Sequence, residues 1–288
     1  MEFDAAFLRE EERCGYTVPA SMKKVWAVQL ELLSQFRQVC DRHGLRFFAS
    51  GGTLLGAVRH QGYIPWDDDI DIQMLREDYD RLLEIAPTEF AAPYFFQTAY
   101  TDKGYSRGHA QLRDSRTTAI LDSERGKFVF NQGIFIDIFP LDGVPDDVAE
   151  QAAQRRRIRF WTRLLELGVR YPANPYKSKA KSLVHSFLKL VPYRFIYRRM
   201  ERACKAYTDT ERVALLSFDA ANDRLVMPRR CFADGVELPF EHTTIPAPVG
   251  YEQALTIQYG DYMTMRRENS YHGGVLFDSE RCYEDYLK

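Results

Sequence analysis

The chain has 288 residues, 45% of them hydrophobic, enough to bury a large core in one elaborated domain or two smaller ones, and this excludes a disordered tail. Its five cysteines are odd in number and scattered, with no Cys-x-x-Cys, which excludes a disulfide framework and a zinc ribbon and leaves reduced, buried thiols as the expectation. The formal net charge of −2 hides a sharp division, because residues 151–205 hold 15 Lys and Arg against two Glu.

The N-terminus has no basic stretch leading into an apolar core, and no window approaches 18 uncharged apolar residues, so a cytoplasmic protein is expected. Ser21 is placed to cap a helix running to about His43, with Val25, Val28, Leu32, Phe36 and Val39 on one face and Gly44 ending it. The apolar residues 45–49 predict a strand that enters the glycine turn Ser50-Gly51-Gly52-Thr53 and then a short helix ending at Arg59 and His60. Such a turn offers bare backbone N–H groups to an anion.

Next comes Pro65-Trp66-Asp67-Asp68-Asp69-Ile70-Asp71-Ile72. A strand through Ile70 and Ile72 would aim Asp69 and Asp71 at one face, with backbones about 6.6 Å apart, so both carboxylates can converge on one hard cation. The competing reading of the run is a solvated acidic turn. Residues 76–86 predict a helix halted before Pro87, and residues 94–98, 110–112 and 118–121 predict short strands. Residues 133–140 are nearly all apolar and predict a buried central strand with Asp137 as its one charge. A buried carboxylate must be paired, bound to metal or protonated, so Asp137 either meets an arginine or shares a cation with Asp69 and Asp71. The strand entering the glycine turn, the acidic strand, 94–98, 118–121 and the Asp137 strand together predict a five-stranded core sheet.

The basic stretch 151–205 interleaves its cations with bulky apolar residues, as in Ser182-Leu183-Val184-His185-Ser186-Phe187-Leu188. Basic amphipathic helices there suit an anionic membrane surface; the plainer alternative packs their apolar faces on the core and leaves the cations in water. The absence of a recognition-helix pattern or aromatic RNA-binding motif argues against nucleic acid as a partner. Residues 251–257 predict a further helix. No linker marks a clean boundary, and the division expected is a catalytic core over 1–150, a basic helical segment over 151–210 and a C-terminal part over 211–288 that completes the site.

The stretch from Gly51-Gly52-Thr53-Leu54-Leu55-Gly56 through Pro65-Trp66-Asp67-Asp68-Asp69-Ile70-Asp71 resembles the signature of the LicD phosphotransferases, a group that includes the fukutin-related proteins. The resemblance extends through Arg113-Asp114-Ser115-Arg116-Thr117, residues 133–143, Tyr259-Gly260-Asp261-Tyr262 and His272-Gly273-Gly274. The 16 residues from Thr53 to Asp68 exceed the gap of general nucleotidyltransferases and are typical of this branch. The resemblance implies an α/β, nucleotidyltransferase-like mixed sheet flanked by helices, with a basic helical insertion and a C-terminal extension. It further implies transfer of phosphocholine, or a phospho-alcohol such as ribitol phosphate, from a CDP-activated donor to a hydroxyl of a glycan or lipid-linked glycan. Asp69 and Asp71 would hold Mg²⁺, or Mn²⁺ in its place, while Asp137 would ligate a second ion or accept the acceptor's proton. Asp67 is a further ligand or a simple turn carboxylate. Gly51, Gly52, Thr53, Arg59 and His272 are expected at the substrate, and Arg113, with its bidentate fork, at the diphosphate. Two alternatives remain: an enzyme that transfers NMP from an NTP, and a non-catalytic protein bound at the membrane.

Overall fold

The computed structural model describes residues 3–168, 176–220, 225–266 and 274–287. The hairpin β1 (Glu11–Arg13) and β2 (Tyr16–Val18) leads into the long helix α1 (Ala20–His43), and β3 (Phe48–Ala49) then enters α2 (Gly51–His60). Strand β4 (Asp71–Leu75) is followed by α3 (Arg76–Glu89), β5 (Tyr94–Gln97), β6 (Ala110–Asp114), β7 (Thr118–Leu121) and β8 (Ile134–Val144). Helices α4 (Val148–Gly168), α5 (Lys179–Leu188) and α6 (Tyr193–Cys204) come next, then β9 (Arg212–Ala214), α7 (Leu216–Asp219) and β10 (Met227–Pro228). The hairpin β11 (Gly235–Phe240) and β12 (Thr243–Pro248), helix α8 (Tyr251–Tyr259) and β13 (Val275–Asp278) complete an α/β fold without a closed barrel among the described residues.

Helix α1 follows its apolar spacing and stops where Gly44 turns left-handed at φ 60°, its N–H returned to Asp41 and Cys40. Its start is Pro19, whose carbonyl accepts the N–H groups of Met22 and Lys23, and Ser21 lies inside the first turn instead of capping it. Helix α3 runs through Pro87, contrary to the expected stop. Proline removes one N–H, but Thr88 donates its hydroxyl to Ile85 and Phe90 its N–H to Ala86, which complete the last turn.

The main sheet has seven strands, ordered β10-β9-β8-β4-β3, with β6 also paired to β8 and β5 to β6. The expected sheet of five therefore gains members and loses one: β7 pairs with β13, a strand close to the C-terminus, in a separate ribbon. All of β8 is buried, as its apolar run predicts. It is parallel to β4 and antiparallel to β6 and β9. Helix α1 covers this sheet, with Trp26, Leu30 and Phe36 in one cluster with Ile72, Met74, Ile136 and Ile138. The three basic helices form another cluster around Ile158, Leu165, Ile196 and Met200. All five cysteines are free thiols; three are buried, but Cys14 is exposed, against expectation. Among the described residues no helix is long and apolar enough to cross a membrane.

Candidate active site

Strand register assembles the acids. Asp71 of β4 lies opposite Asp137 of β8, and Gln111 of β6 lies opposite Asp137 on the other pairing, so the three side chains stand on one rung and one face. Asp69 precedes the strand, which begins at Asp71 and not before it as the sequence suggested. Its position is nevertheless held, because Ile70, next along the chain, accepts the N–H of Asp137 at 2.9 Å. Asp69, Asp71 and Asp137 bring one carboxylate oxygen each within 4.8 Å of the others, and Asp67, Asp68 and Asp69 make a second such group sharing Asp69.

The acidic run is held from behind by α1. Trp26 donates its indole N–H to the Asp67 carbonyl at 3.2 Å, and Gln29 its amide to the Asp68 carbonyl at 2.8 Å. Tyr63 stacks on Trp26 at 4.3 Å and donates its hydroxyl to Gln29, locking both donors. From the front, the start of α2 meets the run. Ser50 donates its N–H to the Asp71 carbonyl, and Thr53 accepts the Asp71 N–H on its hydroxyl at 2.8 Å. Thr53 is thereby buried against β4 and does not line the cleft, so its role is to seat Asp71 and not to contact substrate. The two glycines are needed for closeness: a Cβ on Gly52 would sit 2.5 Å from Asp67 Oδ2, and one on Gly51 3.1 Å from Asp71 Oδ2. Gly51 also has φ +51°, where other residues are strained.

Burial, and then the neighbouring carboxylates of Asp71, Asp67, Asp68 and Asp137, push the Asp69 carboxyl well above its ordinary range. Asp137 is oriented by Gln111, whose amide nitrogen donates to Oδ1 at 2.7 Å, and His109 Nε2 lies 2.9 Å from the same oxygen. Arg113 corrects a sequence expectation. It is wholly buried and absent from the cleft, its guanidinium donating to Gln111 Oε1, Gln97 Oε1 and the Gly133 carbonyl. Strand alternation places Arg113 two residues from Gln111, so it reaches the amide behind Asp137 instead of the diphosphate. By taking Oε1 of Gln111 it fixes which end of that amide faces Asp137.

The acids open on a cleft of about 1000 Å³, large enough for a nucleotide-sized ligand. Gly51, Gly52, Asp67 and Arg59 line it, with Arg59 also donating to the carbonyls of Tyr262 and Thr264. The structure adds residues that the sequence did not single out: Arg107, which pairs with Glu124 at 2.6 Å, and Lys127, both on the cleft wall. Nothing local marks them, since both lie between strands. Gln111 and His109 did carry a signal, the two-residue alternation that puts them beside Asp137. His272 lies outside the described residues.

The donor set fits a hard divalent cation. Carboxylate oxygens converge within 4.8 Å, and the mutual repulsion that adds to burial in raising Asp69 is what a shared cation relieves. The profile described as LicD/FKTN/FKRP, nucleotidyltransferase domain, matches residues 44–162. The lipopolysaccharide cholinephosphotransferase LicD of Haemophilus influenzae is 28% identical over 259 residues, 86% of this chain and 93% of that protein. The human ribitol 5-phosphate transferase FKRP is 48% identical over 40 residues, 14% of this chain and 8% of that one. An uncharacterised protein of Rickettsia prowazekii is 32% identical over 48% of this chain and 49% of its own length. Residues 44–162, which carry the glycine turn and the acids, thus match the LicD/FKTN/FKRP nucleotidyltransferase-domain profile, and the chain is similar over most of its length to a cholinephosphotransferase.

Proposed function

We propose that this protein transfers phosphocholine, or a similar phospho-alcohol such as ribitol phosphate, from a CDP-activated donor to a glycan hydroxyl. The observation that supports the reading most is the convergence of Asp69, Asp71 and Asp137 at the mouth of a cleft of nucleotide size, in a chain similar along most of its length to a cholinephosphotransferase. Asp69 and Asp71, with Asp137 or Asp67, would hold Mg²⁺ or Mn²⁺, which when bound neutralises charge on the donor diphosphate. Arg107 and Lys127 suit the phosphate oxygens from the facing wall. Where Asp67 completes the ion's ligands, Asp137, its rotation set by Gln111, would take the proton of the acceptor hydroxyl. The acceptor oxygen attacks the β-phosphorus, the bond from that phosphorus to the bridging oxygen breaks, and CMP leaves.

Calorimetric titration with CDP-choline, CDP-ribitol, CDP-glycerol, CTP and CDP, each with and without Mg²⁺, tests this. Metal-dependent binding of one CDP-alcohol, with CMP released on addition of acceptor, is the expected result. Preference for CTP with release of pyrophosphate would make the enzyme a transferase of NMP. Absence of any nucleotide binding would point to a non-catalytic protein.

A further inference from the structure

Helix α5 turns its two faces to different surroundings. His185 and Leu188 are buried, and His185 meets the Leu167 carbonyl of α4. The opposite face carries Leu183 at 73% exposure, Phe187 at 64% and, just past the helix end, Leu190 at 80%. These positions fall at spacings of four and three, so they form one apolar stripe along the axis. Lys179, Lys181 and Lys189 are on the same short segment, and Arg199 of α6 lies 5.1 Å over the exposed ring of Phe195. Of the two acids in residues 151–205, Glu201 is engaged by Lys205 and by the Tyr100 hydroxyl.

We infer that the exposed stripe of α5, with the cations around it, docks this protein on an anionic lipid surface. Protruding apolar side chains flanked by Lys are the composition of a helix lying in a membrane interface. A second copy is a poor occupant, because pairing two faces this rich in Lys and Arg brings like charges together. The helices packed with α5 also wall the cleft, through Leu165 of α4 and Met200 of α6, so docking here would bring a lipid-borne hydroxyl to the mouth of the site. The inference concerns binding and stands apart from the donor proposed above.

Cosedimentation of the full chain with vesicles of phosphatidylcholine alone, and with about one-quarter phosphatidylglycerol, tests it without any turnover. Binding is expected only to the anionic vesicles and to weaken in high salt. Leu183→Ser with Phe187→Ser should lower partitioning about tenfold or more. Replacing Lys179, Lys181 and Lys189 by Gln should lower it on the order of a hundredfold, at about fivefold per charge. Circular dichroism melts check that both variants remain folded. Equal binding to neutral vesicles, or unchanged binding by the Leu183→Ser, Phe187→Ser protein, would overturn the inference. So would a dimer in light scattering that this double variant dissolves, which would assign the stripe to self-association.

Discussion

Asp69 carries a conflict that bears on both stability and activity. Its carboxyl is buried, is crowded by four others, and protonates far more readily than an ordinary aspartate. The folded state therefore holds more protons than the unfolded one above the usual aspartate range, and stability without metal should fall as pH rises through that window. Thermal melts from acid to neutral pH should show this decline, and Mg²⁺ should cancel it at the upper end. Asp69→Asn should raise the metal-free melting temperature while lowering turnover by on the order of 10²–10³-fold, a trade of function against stability. Arg113 is the second residue to test. Arg113→Met removes the donor that orients Gln111, so cation affinity and kcat should both fall, whereas Arg113→Lys should restore part of the effect. A merely structural role would lower the melting temperature and leave cation affinity unchanged. The acids were legible in the sequence because their signal is local, a charge alternating with Ile70 and Ile72 or isolated in an apolar run. The work of Arg113 was not, because its partners Gln97 and Gly133 are set by strand pairing.

At the level of elements, β8 is the member that everything else is measured against. Its apolar run identified it, and α1, α2 and α8 were likewise readable from periodicity and glycine punctuation. The three-residue β9 and two-residue β10 were not, since such stretches have no period to detect. Far along β8, Asp142 is wholly buried and receives both Nε and Nη2 of Arg76, the first residue of α3, at 2.7 and 2.9 Å. Burial raises the Asp142 carboxyl even against this partner. Arg76→Met should therefore cost about 3–5 kcal/mol in urea unfolding, because it strands a buried charge. Arg76→Met with Asp142→Leu should recover much of that loss. The pair ties α3 to β8 but lies apart from the cleft, so residual activity per folded molecule should be unchanged.

Across the whole molecule, acids gather at the cleft and cations on α4–α6, and this division was visible from composition alone. The tie between β13 and the middle of the chain was not. β13 pairs with β7, and Thr118 donates to the Arg281 carbonyl, so the C-terminal strand closes over a segment more than 150 residues upstream. Mg²⁺ together with a CDP-alcohol at a hundred times its Kd should stabilise the protein by about 2.7 kcal/mol, read as an upward shift of several degrees in the melt. The single rung of Asp71, Asp137 and Gln111 has a further bearing on how the chain tolerates change in length. Three strands share one reading frame, and a single inserted residue in 71–75 or 134–138 would turn an acid to the opposite face or throw Ile72 and Ile136 out of the core. An insertion in the turn 122–127 shifts no frame, so in an insertion scan the gaps in the surviving library should trace these rungs.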